Sequence, residues 1–128
     1  MNPERLRYTE DHEWIGEQDG LYVVGITDFA EEQLGSITYV ELPEEGRDLH
    51  AGEDAGLVES VMEERDVYAP VSGRVVEINH VIEDSPEKVN QDPYGNGWFF
   101  KMEGVNPSDV EDLMDVRAYR LYCLDNAD

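Results

Sequence analysis

Residues 59–73 read Glu59-Ser60-Val61-Met62-Glu63-Glu64-Arg65-Asp66-Val67-Tyr68-Ala69-Pro70-Val71-Ser72-Gly73, and this stretch governs how the rest of the chain is read. Branched and aromatic side chains gather towards its two ends, where they suit the pleated, half-buried surface of a strand. Together with their neighbours they predict strands over 55–61, 66–71 and 74–78, leaving Met62-Glu63-Glu64-Arg65 between the first two. Pro70 lacks an N–H and belongs at an edge or irregularity of its strand. Ser72-Gly73 suits a tight turn, since glycine reaches positive φ without a steric cost.

The same texture extends outward. Leu21–Ile26 and Ser36–Leu42 are also strand-length and rich in branched or aromatic residues. Short apolar segments separated by turn residues at close intervals predict a mainly β fold, a sandwich or a barrel. Helices are expected to be few. Thr27 or Asp28 is placed to cap one through Phe29–Leu34, with Gly35 ending it. Asn106-Pro107-Ser108-Asp109 opens another, whose Val110, Leu113 and Met114 share a face. A further turn or helix covers 116–124, so the C-terminal helical segment spans about 107–124. Residues 79–97, with Pro86, Pro93, Gly95 and Gly97, read as a long surface connection. No linker interrupts the chain, and a single domain over 1–128 is expected.

Composition narrows the partners. With 31 acids against nine bases the formal charge is −22, which repels phosphate backbones and anionic membrane surfaces. Nucleic acid and membrane are therefore not expected as partners. No stretch approaches the ~18 apolar residues of a spanning helix, and the N-terminus lacks the apolar core of a secretory signal. A cytoplasmic monomer is the expectation. Cys123 is the single cysteine, so no disulfide closes within the chain.

Five blocks carry a family resemblance. They are His12-Glu13-Trp14 after Tyr8-Thr9; Val24 through Gly35; Tyr39-Val40-Glu41-Leu42-Pro43 with Gly46; the frame Val58-Glu59-Ser60-Val61 and Asp66 through Gly73; and Val89 through Trp98. In this order they resemble the glycine cleavage system H-protein family over nearly the whole chain. The resemblance implies a lipoyl-domain-like flattened β barrel or sandwich (a barrel-sandwich hybrid) with short peripheral helices. It implies a carrier, not an enzyme. In that family a lipoyl arm takes the methylamine group left after glycine decarboxylation and presents it to the aminomethyltransferase. Dihydrolipoamide dehydrogenase then reoxidises the arm.

The family's arm is an amide of a lysine that follows Glu-Ser-Val; here Met62 follows Glu59-Ser60-Val61. A thioether has no nucleophilic nitrogen, so no lipoyl cofactor is expected on this chain as sequenced. Where the family has small residues, Glu63, Glu64 and Arg65 stand before the pattern resumes at Asp66. Lys88 and Lys101 are the only lysines, and neither falls at the hairpin tip 62–65. Arg65 is close, but a guanidinium stays protonated and is a poor acyl acceptor. Two readings remain: a carrier whose anchor was lost or engineered away, or an unlipoylated interaction or regulatory module. Such a module would dock on lipoylation enzymes or on the glycine-cleavage enzymes themselves, namely glycine decarboxylase, the aminomethyltransferase and dihydrolipoamide dehydrogenase.

Other chemistry is weakly signalled. Glu63 and Glu64 are adjacent on a turn and are expected to be solvated, not to converge as an acid–base pair. His12, His50 and His80 are dispersed and lack metal-ligand spacing. Cys123 has no recognisable base beside it and reads as a packing thiol. Gly95-Asn96-Gly97 is too short for a phosphate loop. Trp14, Tyr68 and Trp98 read as core or cleft wall.

Overall fold

Two antiparallel sheets face each other, and the computed structural model describes residues 1–126 of them and their flanking helices. The last two positions of the domain expected over 1–128 lie outside the described residues. The larger sheet contains β1 (Arg7–Tyr8), β2 (Glu13–Gln18), β3 (Leu21–Ile26), β5 (Asp48–Leu49), β8 (Gly73–Ile78) and β9 (Phe100–Glu103), in spatial order β1-β2-β3-β9-β8-β5. The smaller one contains β4 (Ile37–Glu41), β6 (Asp54–Ser60) and β7 (Glu64–Tyr68), with β6 in the middle. The sheets do not close on one another, so of the two expected shapes the sandwich is the one formed.

Alternation places the core. Ala55 and Val58 of β6, Val67 of β7 and Val40 of β4 point inward against Ile15, Val24, Phe100 and Met102 of the larger sheet. Gly56 sits at a bulge where the β6–β7 register shifts, with φ +151°, and a side chain there would collide with the Glu41 carbonyl oxygen. A second cluster, Leu6, Tyr8, Trp14, Val23 and Tyr119, forms where the C-terminal helix meets β1–β3.

The first helix, α1 (Asp28–Leu34), is capped by Thr27, whose hydroxyl accepts from the Ala30 N–H, and ends at Gly35 with φ +79°. Residues 79–97 are a correction to the sequence reading. They hold α2 (His80–Asp84), capped by Asn79, and α3 (Glu87–Gln91). Ile82 and Val89 are fully buried, each worth about 1.5–3 kcal/mol, and that burial folds a segment whose prolines suggested a loop.

The sequence reads the C-terminal segment as a helix opening at Asn106 and a further turn or helix over 116–124. The segment forms α4 (Pro107–Glu111) and α5 (Val116–Asn126). Between them Met114 pairs with Tyr8, its N–H donating to the Tyr8 carbonyl at 3.2 Å, and this sheet-like exchange separates the two helices. Pro70 lies beyond the end of β7, where no ladder bond is required of it.

Candidate functional site

The β6–β7 hairpin projects one corner of the molecule into solvent. Its register pairs Leu57 with Asp66, Val58 with Arg65 and Glu59 with Glu64. The Ser60 N–H donates to the Glu63 carbonyl at 2.8 Å, so the reversal is Ser60–Glu63, with Val61 and Met62 at its two corners. The reversal thus lies two residues earlier than the expected tip 62–65, because cross-strand pairing carries Glu64 and Arg65 into β7.

Ser60 organises this turn. Its Oγ accepts from the N–H groups of Met62 and Glu63, both at 3.1 Å, satisfying two donors that a bare turn leaves to water. The Val61 N–H donates to the Ser36 carbonyl at 3.1 Å and ties the tip to the chain leaving α1. Val61 and Met62 are 71% and 75% exposed, so two apolar side chains crown a well-fixed turn. The Met62 thioether leans towards Gly35, where an added Cβ would lie 3.6 Å from Sδ.

The acids of the hairpin are dispersed. Glu63 pairs with Arg65 at 3.0 Å, while Glu64 faces Glu59 across the ladder. Hydrogen bonding to Glu59 is the first cause raising the Glu64 carboxyl above its usual range, with slight burial and the Glu59 and Asp66 charges adding to it. These carboxylates share no common point of approach with Glu63. Neither lysine stands at the tip. Lys88 is on α3, and Lys101 on β9 reaches Glu77 at 3.6 Å and lies 4.9 Å over the Trp98 ring.

Beneath the hairpin is a cavity of about 330 Å³, walled by Glu10, Asp11, His12, Arg65, Asp66 and Tyr68. The motif residue Asp66 therefore opens onto it, whereas Glu59, Ser60 and Val61 do not. Arg65 is its one cation, reaching Gln33 at 3.5 Å.

Behind this wall lies a group the sequence reading did not single out for burial. Glu13 is 1% exposed. Its carboxylate accepts from the Thr9 hydroxyl at 2.6 Å and from the Tyr68 N–H at 3.3 Å. Burial pushes its pKa up to about 7, against the opposing pull of those two hydrogen bonds. Its one sequence signal was its place beside Trp14-Ile15, an apolar pair that is itself fully buried.

The remaining candidates are structural. Trp14 is buried and donates to the Pro93 carbonyl at 3.0 Å; Trp98 and Tyr68 are half-buried. Gly95 and Gly97 both donate to the Asp92 carbonyl, closing a turn. His50 and His80 are exposed, and no group of three or more metal-binding side chains converges among the described residues. Burial raises the Cys123 thiol above its ordinary value, which disfavours the reactive thiolate. No helix among the described residues is long and apolar enough to cross a membrane.

The chain is similar in sequence and fold to known proteins. The family described as "Glycine cleavage H-protein" matches residues 6–126. The glycine cleavage system H protein of Symbiobacterium thermophilum is 50% identical over 117 residues, covering 91% of each chain. That of Thermotoga maritima is 48% identical over 117 residues, covering 91% of this chain and 94% of its own. A crystal structure of the glycine cleavage system H protein from Mycobacterium marinum superposes with a TM-score of 0.82. It is 38% identical, and the match covers 98% of both chains.

Proposed function

The chain belongs to the glycine cleavage H-protein family, and from that membership we propose that it is a non-catalytic carrier-family domain whose hairpin bears no lipoyl group as sequenced. The observation that carries this reading is Met62, which we take as the position of the arm-bearing lysine. It stands at the corner of the Ser60–Glu63 turn, 75% exposed, held by Ser60 and flanked by the Glu59, Ser60, Val61 and Asp66 motif. The turn is suited to presenting an anchor to large partners, but a thioether forms no amide. The residues present at the tip therefore do not fit covalent lipoate.

Intact-mass measurement after incubation with lipoate, ATP and a lipoate ligase tests the reading. The expected mass is that of the unmodified chain; an adduct on Lys88 or Lys101 would overturn it. Met62→Lys restores an amine, yet Glu63, Glu64 and Arg65 still put charge and bulk where the ligase must grip. Modification of the single variant should be slow, and faster once those three also become alanine. Equal rates in both would show that the charge of the tip is irrelevant.

A second reading, in which the protein acts as an unlipoylated docking or regulatory module, is favoured by the intact hairpin frame around Met62 and by the charge of −22. Its partners would be glycine decarboxylase, the aminomethyltransferase, dihydrolipoamide dehydrogenase or a lipoylating enzyme, met by a soluble monomer in the cytoplasm.

A further inference from the structure

Three hydroxyl and imidazole groups form a chain that ties α5 to the rest of the fold. The Tyr119 hydroxyl lies 2.8 Å from His12 Nδ1 and 2.7 Å from Thr27 Oγ1. Thr27 Oγ1 also accepts from the Ala30 N–H at 3.2 Å, as the cap of α1. Thr27 is completely buried and Tyr119 nearly so, at 0% and 4% exposed. Each hydroxyl has one hydrogen to place. Of the two possible orders, donation from Thr27 to Tyr119 Oη and from Tyr119 to His12 Nδ1 is the one that gives both hydroxyl hydrogens a strong acceptor. That order requires an unprotonated Nδ1, hence a neutral His12 with its hydrogen on Nε2.

A proton on Nδ1 reverses the contact, because the imidazolium must donate to Tyr119 Oη. The Tyr119 hydrogen then turns to Thr27, stranding a buried hydroxyl, or to the Cys123 thiol, a weak acceptor in place of a strong one. We propose that the Tyr119 hydroxyl, bonded to both His12 and Thr27, is a latch that holds α5 against the body only while His12 is neutral, so that protonation of His12 loosens α5. Its position makes the latch responsive to the surface: His12 walls the hairpin-side cavity, while Tyr119 belongs to α5.

The groups around His12 are set to poise it. The Phe29 ring of α1 lies tilted against it at 4.8 Å, and Tyr119 and Tyr122 of α5 flank it at 5.8 and 5.9 Å. Asp11 and Glu10 precede it and Glu13 follows, while Arg65, Asp66 and Tyr68 face it from β7 and Gln33 from α1. Burial, then the Arg65 charge, lowers the His12 pKa from 6.5, and Asp11 opposes them. The other tethers of α5 involve no imidazole: Arg120 to Glu4 at 2.7 Å, the Tyr122 hydroxyl to the Glu10 carbonyl at 3.1 Å, and Tyr8 stacked on Tyr119 at 4.5 Å.

Backbone amide exchange of the intact chain at about pH 7.5 and about pH 5 tests the latch, with rates corrected for their intrinsic pH dependence. Protection of α5 should fall about tenfold at the lower pH, the scale of one hydrogen bond, while β2 and β3 keep theirs. His12 has φ +69°, which asparagine tolerates, so His12→Asn should fold and show equal α5 protection at both pH values. The response should persist in Glu13→Gln, which removes the neighbouring titration. Nitrogen shifts of the His12 ring should report the Nε2–H tautomer at the higher pH. Unchanged α5 exchange in the wild type, a response surviving in His12→Asn or vanishing in Glu13→Gln, or an Nδ1–H tautomer would each overturn the proposal.

Discussion

Replacing Glu13 by glutamine should change how stability depends on pH. The folded carboxyl has its pKa raised from 4.5 to about 7 by burial, so the folded chain binds this proton more readily than the unfolded one. The sign follows from that order. The stabilisation is fully present below the unfolded pKa, declines as pH rises, and is gone above about 7. At ~1.4 kcal/mol per pH unit, the interval from 4.5 to about 7 corresponds to about 3 kcal/mol. Most of that lies between about pH 5 and pH 8.5, so the span available to measurement is about 2–3 kcal/mol.

Glutamine keeps the shape and never ionises. Its carbonyl can accept from the Tyr68 N–H, and its amide can donate to Thr9 Oγ1, so both present hydrogen bonds have substitutes. Urea unfolding at fixed ionic strength across that pH range is the assay. Near pH 5 the two proteins should be close. Near pH 8.5 the variant should be ahead by about 2–3 kcal/mol, with unchanged m-values. The repulsion among other acids is common to both proteins and cancels in the difference. His12 acts in the opposite sense, since its lowered pKa gives stability that is present above about 6.5 and lost as pH falls. Parallel pH curves for wild type and variant would refute the reasoning and mean that Glu13 titrates as an ordinary surface acid.

Two further outcomes are expected. Gly56→Ala should destabilise by about 1–3 kcal/mol in urea titrations, because the new Cβ meets the Glu41 carbonyl oxygen and φ is +151°. If the chain docks on the aminomethyltransferase, calorimetry should show binding at low salt that weakens clearly at high salt, chiefly through slower association, as exposed charges are screened beyond ~8–10 Å; no binding to any of the three glycine-cleavage enzymes at low salt would remove the docking reading.

The sequence made some elements legible and hid others for physical reasons. Leu21–Ile26 was expected and found because Val24 and Ile26 enter the main core, Val23 enters the second cluster on the other face, and the strand's edges pair with β2 and β9. Thr27 and Gly35 marked the two ends of α1 because capping and positive φ are local demands with local signatures. β9 was anticipated, since Lys101 after Trp98-Phe99-Phe100 reads as strand, but β1 and β5 were missed and β2 was not assigned, since their pairing depends on partners elsewhere in the chain. The fold of 79–97 was misread for the same reason: Ile82 and Val89 reveal their role only when a core stands ready to cover them.

At the hairpin the motif Glu59-Ser60-Val61 and the odd residue Met62 were visible in the letters, but not why the turn is rigid. That rests on Ser60 satisfying two N–H groups and on a cross-chain bond from Val61 to Ser36. The same division applies beneath it. His12, Glu13, Arg65 and Asp66 come from two segments more than fifty residues apart, and only the packing of β2 against β7 brings them to one cavity wall and its backing. A turn held this firmly, with an acidic wall and a poised histidine below, does not depend on a lipoyl group for its order. On the proposal that Met62 stands where the family bears its arm, the presenting surface is ordered without the arm, so docking and lipoylation are separable properties and should be measured separately.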